Sequence, residues 1–281
     1  MKQPKLRYSE AFYSVQGEGR FVGVPSLFLR VFGCNFECAG FGQERGNLIA
    51  TDEMPYVIDP KADKDHPDAY KSIEELPVTP IGCDSSASWS MRYKHLQMTK
   101  SADEVFDHIT SLIPNGTFTG QHGEDIHLVI TGGEPLLGWQ RVWPALLDMC
   151  REVGLVNVTF ETEATDLHVT WSTSPKLSIS GETLEDTLIP EQLLTMNEVT
   201  NSFLYNKFVV RDELCLPDVD TFVSAYKEAG VQIDSVFLMP EGATLEQQTL
   251  TEKDVAKICM ETGYKFSPRL HINLFGNAWG T

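Results

Sequence analysis

Short apolar runs alternate with longer amphipathic segments along most of the chain, and this alternation constrains the fold more than any other feature. Residues 126–130, 203–210 and 235–238 are typical of buried strands, whereas residues 246–262 carry the period of a helix. Strands that alternate with helices at this spacing predict βαβ units and a parallel sheet. About six units are present, fewer than the eight of a closed barrel. We therefore expect an α/β fold, an incomplete TIM-like (β/α)6 barrel, with its last strand at residues 269–275.

One stretch departs from this pattern. Residues 39–82 are rich in Gly, Pro, Asp, Lys and Glu and show no sustained period. Loops of this length are uncommon inside domains unless they serve a function. The sequence therefore predicts a single domain over residues 1–281 with a long inserted loop at 39–82.

Charge and hydropathy limit the partners. The chain has 40 acidic and 22 basic residues, a formal net charge of −18 that repels phosphate backbones. No apolar run approaches a membrane span, and the first residues lack the apolar core of a signal peptide. We expect a cytoplasmic protein without nucleic-acid or membrane partners.

The cysteines suggest a metal or redox site. Cys34 and Cys38, with three residues between them, follow the end of the apolar run 26–32. The next cysteine, Cys83, follows the inserted loop. Clustered cysteines in an intracellular chain of this size more often bind metal than form disulfides. A zinc site completed by a histidine such as His66 or His95 is one alternative. The single cysteines are expected to be ordinary buried thiols: Cys150, Cys215 and Cys259.

Polar or glycine-rich clusters follow strand after strand, at the edge where α/β folds gather their chemistry. Arg30 alternates with apolar neighbours, so a cation is expected on a buried face, where it needs an anionic partner from the protein or from a substrate. The turn Gln16-Gly17-Glu18-Gly19 could bring backbone and carboxylate close to a ligand.

Together these blocks resemble a known family. In chain order they are residues 12–19, Gly23-Val24-Pro25, Phe28-Leu29-Arg30, Gly33-Cys34-Asn35 with Cys38, Thr131-Gly132-Gly133-Glu134-Pro135, Ser174-Pro175-Lys176, Lys207-Phe208-Val209, Met239-Pro240-Glu241-Gly242, Ser267-Pro268-Arg269-Leu270-His271 and Gly276-Asn277. The chain resembles the radical S-adenosylmethionine superfamily and, within it, the 7-carboxy-7-deazaguanine synthase family of lyases, over nearly its whole length except residues 39–82.

The resemblance implies an iron–sulfur centre. The superfamily places three cysteines as C-x3-C-x2-C, but here Phe41 stands at the third position. We predict that Cys83 is the displaced third ligand of a [4Fe–4S] cluster, since a longer loop raises the closure entropy only logarithmically. Three thiolates leave one iron open for S-adenosylmethionine, which the reduced cluster cleaves to a 5′-deoxyadenosyl radical that abstracts a substrate hydrogen.

The resemblance also implies roles for individual residues. The expected cofactor-binding residues are Gly132, Gly133, Glu134, Glu161, Ser174, Lys176, Met239 and Glu241. Ser85 is the expected Mg2+ ligand, since it offers the hydroxyl oxygen that a hard cation needs. The family's substrate is 6-carboxy-5,6,7,8-tetrahydropterin, which is ring-contracted to 7-carboxy-7-deazaguanine with loss of ammonia. The expected substrate-binding residues are Gln16, Glu18, Arg30, Thr131 and His271. Among them, Arg30 is expected to pair with the pterin carboxylate.

Partners and alternatives follow from the same resemblance. It implies a homodimer in 7-deazaguanine (queuosine) biosynthesis, reduced by an electron donor such as flavodoxin or ferredoxin. One alternative is another radical S-adenosylmethionine enzyme, such as an activase, although activases often carry additional cysteine clusters. A second alternative is a non-catalytic metal-binding or interaction protein on the same fold.

Overall fold

The fold was analysed in a computed structural model, which describes residues 4–49, 70–76, 78–120, 122–137, 141–160, 168–199 and 202–280. Within these ranges the strands form one sheet in the order β3-β1-β2-β4-β5-β6-β7-β8-β9. The strands are β1 Lys5–Val15, β2 Pro25–Val31, β3 Met98–Ser101, β4 His127–Gly132, β5 Asn157–Phe160, β6 His168–Thr173, β7 Ser202–Val210, β8 Ser235–Pro240 and β9 Lys265–Phe266. The helices are α1 Ala102–Thr110, α2 Trp143–Glu152, α3 Leu184–Thr187, α4 Pro190–Asn197, α5 Leu216–Glu228, α6 Leu245–Thr262 and α7 Leu270–Phe275.

The sheet is mixed. From β2 to β9 every neighbouring pair is parallel, whereas β1 is antiparallel to both β2 and β3. The predicted α/β architecture with a parallel sheet is therefore confirmed, and an antiparallel edge is added to it. Helices lie in the connections from β2 to β4, β4 to β5, β6 to β7, β7 to β8 and β8 to β9, as the length of such crossovers requires, whereas residues 161–167 between β5 and β6 lie outside the described residues.

Helix boundaries follow local capping chemistry. Ser101 and Glu104 form a capping box at the start of α1, with the Ser101 amide donating to Glu104 Oε2 at 2.8 Å. Thr244 and Gln247 form a second capping box at the start of α6, which ends at Gly263 with φ 80°. The helices bury one face each against the sheet, as α2 does with Trp143, Leu146, Leu147 and Cys150.

The prediction of a last strand at residues 269–275 is wrong. This stretch forms α7, and the last strand is the two-residue β9 before it. The alternation of Leu270, Ile272 and Leu274 mimics a strand, yet only Ile272 is buried. The Leu270 amide donates to the Gly17 carbonyl at 2.9 Å, so the chain turns across the sheet edge instead of extending along it.

The described flanks of the inserted loop are packed. Tyr70, Ile73 and Leu76 form a small apolar cluster with Ala87 and Tyr93, separate from the main core. Residues 50–69 and 77 of the loop lie outside the described residues. None of the helices in the described ranges is long and apolar enough to cross a membrane.

Candidate active site

A cavity of about 390 Å³ opens at the carboxyl ends of the parallel strands. The register explains why it gathers the sequence motifs there, since Arg30 pairs with Thr131 and Val31 with Gly132 across β2 and β4. The cavity is lined by these predicted site residues: Gln16, Glu18, Arg30, Cys34, Cys38, Cys83, Ser85, Thr131, Gly132, Gly133, Glu134, Ser174, Lys176, Met239, Glu241 and His271. The other predicted residue, Glu161, lies outside the described residues.

The three predicted cluster cysteines line this one cavity. Cys34 and Cys38 come from the loop after β2, whereas Cys83 comes from beyond the insertion. Burial raises the pKa of all three thiols, and the charge of Cys83 contributes to the rise at both Cys34 and Cys38. Cys38 has a left-handed φ of 49°, which is uncommon for a residue with a side chain.

The base of the insertion is closed beside Cys83. The Gly82 amide donates to the Phe41 carbonyl at 2.6 Å, so the position where the superfamily's third cysteine would stand is hydrogen-bonded to the residue before Cys83. The Gly42 amide donates to Glu241 Oε1 at 2.6 Å, and Gln247 Nε2 donates to the Pro80 carbonyl at 2.8 Å. Both arms of the inserted loop are thus fixed to the end of β8 and to α6.

The glycine-rich turn packs on the cysteine loop by backbone alone. The Gly133 amide donates to the Val31 carbonyl at 3.1 Å, and the Glu134 amide donates to the Gly33 carbonyl at 2.6 Å. A Cβ at Gly133 would lie 1.9 Å from the Gly33 oxygen, and Gly132 has φ 106°. Only glycine fits these two positions.

A network of ion pairs lines the cavity near α7. Glu18 accepts from Lys207 and from Arg269 Nε, the latter at 3.0 Å, and Arg269 also pairs with Asp84. Burial disfavours the charge on Glu18, but Lys207 and Arg269 hold its pKa well below the usual range. Burial lowers the pKa of His271 to about 4, so its imidazole is neutral at pH 7.

Two of the predicted substrate residues have protein partners. The contact of Arg30 with a pterin carboxylate stays a prediction, and the structure adds a protein partner: Arg30 Nε donates to Glu10 Oε1 at 2.7 Å, and Glu10 is only 3% exposed. Burial raises the pKa of Glu10, against the lowering effect of Arg30. The guanidinium of Arg30 also lies 5.6 Å from the ring centre of Trp279. Glu18 is likewise occupied by Lys207 and Arg269, so it is part of the protein's own charge network.

Three other predicted residues have structural contacts as well. Glu241 pairs with Arg211, whose Nη2 donates to Glu241 Oε1 at 2.8 Å. Lys176 Nζ donates to the Ser174 carbonyl at 2.8 Å, and its charge opposes the raised pKa of Cys34 and Cys38. Ser85 Oγ lies 3.4 Å from Cys83 Sγ.

Sequence reasoning missed several residues of the site. Lys207 and Arg269 were visible only as members of motif blocks, and Asp84 only as the neighbour of Cys83, since no pattern predicts which charges meet. Trp279, which lines the cavity, gave no periodic signal. Glu182, which binds the cysteine loop from outside the cavity, gave none either.

The side chains near the cysteines bear on the two metal sites that the sequence suggested, a zinc site and an iron–sulfur cluster. In the described ranges, no three His, Cys, Asp or Glu side chains converge to hold a single metal ion. Of the two histidines of the zinc alternative, His95 contacts the carbonyls of Arg92 and Tyr70 at 3.2 Å, and His66 lies outside the described residues. Three thiols that line one cavity, Cys38 buried and Cys34 and Cys83 partly exposed, fit an iron–sulfur cluster, in which each thiolate binds a different iron.

The fold and the cavity define an α/β protein with a ligand site at the carboxyl edge of its parallel sheet, the arrangement of an enzyme. No family model matches the chain. It is similar over nearly its full length to curated 7-carboxy-7-deazaguanine synthases from three organisms. The Halobacterium salinarum protein is 28% identical over 98% of this chain and 92% of its own, the Rhodopirellula baltica protein 27% over 99% and 90%, and the Pyrobaculum aerophilum protein 26% over 99% and 98%.

A solved structure supports the fold. The crystal structure of QueE from Escherichia coli aligns with a TM-score of 0.52 over 95% of each chain, at 18% identity. The resemblance recognised from the motifs is confirmed by these curated relatives, to which the chain is similar over nearly its whole length.

Proposed function

We propose that the protein catalyses the radical S-adenosylmethionine-dependent ring contraction of 6-carboxy-5,6,7,8-tetrahydropterin to 7-carboxy-7-deazaguanine, with release of ammonia. The observation that carries this proposal is that Cys34, Cys38 and Cys83 line the same cavity as the turn Gly132-Gly133-Glu134. The named activity of the full-length relatives supports it. The proposed architecture is the incomplete (β/α)6 barrel, with residues 39–82 as an insertion in a single domain.

The cofactor side of the cavity is assigned as follows. Cys34, Cys38 and Cys83 would hold a [4Fe–4S] cluster, which with S-adenosylmethionine supplies the radical that removes a substrate hydrogen. Gly132 and Gly133 allow the backbone of the turn to approach the cofactor, and Glu134 offers an acceptor for its amino group. Ser174, Lys176, Met239, Glu161 and Glu241 complete the proposed cofactor shell.

The substrate side is assigned to the residues near the N-terminal turn and α7. Gln16, Thr131 and the neutral His271 would hydrogen-bond the pterin, and Arg30 would meet its carboxylate while Glu10 fixes the guanidinium through Nε. Glu18 would present a carboxylate already oriented by Lys207 and Arg269. A pre-paired carboxylate stays ionised and needs little reorganisation when the substrate binds.

The remaining parts of the proposal concern partners. Ser85 would bind Mg2+ next to the third cysteine. An electron donor such as flavodoxin or ferredoxin would reduce the cluster, in the cytoplasm, and the protein would act as a homodimer on a small-molecule substrate.

The test begins with anaerobic reconstitution by iron and sulfide. We expect about four irons per chain and a reducible cluster. Cys83→Ala should lose the stable cluster, whereas the matched control Cys259→Ala, which removes a buried thiol outside the cavity, should retain it. Incubation with S-adenosylmethionine, a reductant and the carboxypterin should then give 7-carboxy-7-deazaguanine, detected by mass spectrometry.

Two outcomes would contradict the proposal. A Cys83→Ala protein with the cluster stability of the wild type would refute the relocated third ligand. A reduced, cluster-loaded wild type that cleaves S-adenosylmethionine but forms no deazapurine would refute the substrate and favour another radical enzyme, such as an activase.

A further inference from the structure

A carboxylate outside the cavity holds the loop that carries the second cysteine. The backbone amides of Glu37 and Cys38 both donate to Glu182 Oε1, at 3.1 and 2.9 Å. Consecutive amides that converge on one anion form a concave anion-binding site in the backbone. Glu182 occupies this site, and it does not line the cavity.

The conformation of the cysteine loop needs such a partner. Cys38 has φ 49°, a conformation that L-residues with side chains adopt only when surrounding contacts enforce it. Cys38 is only 5% exposed, and Glu182 is the acceptor that the protein supplies to its amide, so removal of Glu182 would take this acceptor away. Hydrogen bonds from an amide to a carboxylate are shorter and stronger than those to a neutral oxygen.

The segment around Glu182 is itself fixed. The Gly40 amide donates to the Ser180 carbonyl at 2.5 Å, and a Cβ at Gly40 would lie 2.3 Å from the Ile179 oxygen. The Glu182 amide donates to Ser180 Oγ at 3.3 Å. Ser178 donates to Asp218 on α5, so the support extends to a helix packed on the sheet.

We infer that Glu182 is a positioning residue for the iron–sulfur site, which holds Cys38 in its ligating conformation through the amides of residues 37 and 38. This inference rests on the proposed function, since it assumes that Cys38 ligates a cluster. Partners that orient a metal ligand from outside the first shell commonly affect metal affinity by about 10–100-fold when removed.

The test compares Glu182→Ala, Glu182→Gln and the control Glu185→Ala in the full chain. Gln keeps an oxygen that can accept from both amides, whereas Ala keeps none. Glu185 is an exposed acid three residues after Glu182, in α3, and so controls for loss of charge. Each protein is reconstituted anaerobically, and iron release to a chelator and the electron paramagnetic resonance spectrum of the reduced cluster are recorded. The Tm of the cluster-free protein is measured in parallel.

We expect Glu182→Ala to release iron about 10–100-fold faster than the wild type and to show an altered spectrum. Glu182→Gln should stay within about threefold, Glu185→Ala should match the wild type, and the cluster-free Tm should be similar in all four. Equal iron release from Glu182→Ala and the wild type would overturn the inference. Equal loss in the Ala and Gln variants, together with a lower cluster-free Tm, would overturn it too, because it would show a general structural role.

The two proposals fail separately. A wild type that holds its cluster but forms no deazapurine would refute the proposed reaction and leave the role of Glu182 in place. A fully active wild type whose cluster is equally stable in Glu182→Ala would refute only the role of Glu182.

Discussion

Replacement of Glu18 by Gln should destabilise the protein by about 3 kcal/mol. The carboxylate lies between Lys207 and Arg269, whose side chains are 8% and 10% exposed. At the 3.0 Å separation of Arg269 Nε from Glu18 Oε1, the Coulomb attraction is about 5 kcal/mol at an effective dielectric constant of about 20. Removing one partner of a buried pair costs about 3–5 kcal/mol, and we expect the lower end because Arg269 keeps Asp84.

Urea unfolding of the wild type, Glu18→Gln and the control Asp254→Asn measures this difference. Asp254 pairs with Lys257 at 2.7 Å, but both side chains are more than half exposed, so its loss should cost less than about 0.5 kcal/mol. A thermal scan should show a Tm lower by about 6 °C for Glu18→Gln.

The pH dependence gives an independent check. Because the pKa of Glu18 is lowered on folding, its contribution is fully present above its unfolded value of about 4.5 and is lost as the pH falls toward the folded pKa. The difference between wild type and Glu18→Gln should therefore shrink below about pH 4.5. The reasoning would be refuted if Glu18→Gln matched Asp254→Asn at pH 7.

Two further predictions concern the turn and the histidine. Gly133→Ala should lower product formation about 100-fold, because its Cβ would meet the Gly33 oxygen at 1.9 Å and push the turn off the cysteine loop by about 1 Å. Gly230→Ala, whose φ of 90° strains the backbone but whose Cβ would meet no atom within 4 Å, controls for backbone strain outside the cavity, and equal rates for the two variants would contradict the argument. The imidazole of His271 should titrate near pH 4 by nuclear magnetic resonance, since burial lowers its pKa to about 4. Because His271 is buried in its neutral form, its contribution to stability is complete above the usual pKa of 6.5 and decreases as the pH falls from 6.5 to 4. The loss of stability over this pH range should therefore be smaller in His271→Gln than in the wild type. A titration midpoint above pH 6 for His271 would contradict the assignment.

The strand and helix pattern was predictable because burial imposes its period on the sequence. The capping box of α1 and the runs that became β4, β7 and β8 follow from local rules. The stretch 269–275 was not predictable in this way, since its apolar alternation fits a strand and only the contact of Leu270 with Gly17 decides for a helix.

The cavity shows the same division. The predicted site residues within the described ranges all line the cavity, because parallel strands bring their carboxyl ends to one edge. The partner of Arg30 was left open between protein and substrate, and the structure supplies Glu10 from the antiparallel neighbour β1. The register between two strands determines which of their side chains pair, and the sequence of one strand alone does not specify that register.

The sequence by itself determined the kind of site: which residue types carry the chemistry, their order along the chain and the strand ends that present them. It also singled out Cys83 as the replacement for the missing third cysteine. Only the tertiary structure decided how Cys83 reaches the others, through the hydrogen bond between Phe41 and Gly82 that closes the base of the insertion. It likewise decided which charges pair and that Glu182 supports the cysteine loop. The physical reason is that chemistry and period are local properties of a chain, whereas contacts between distant segments depend on the packing of the whole fold.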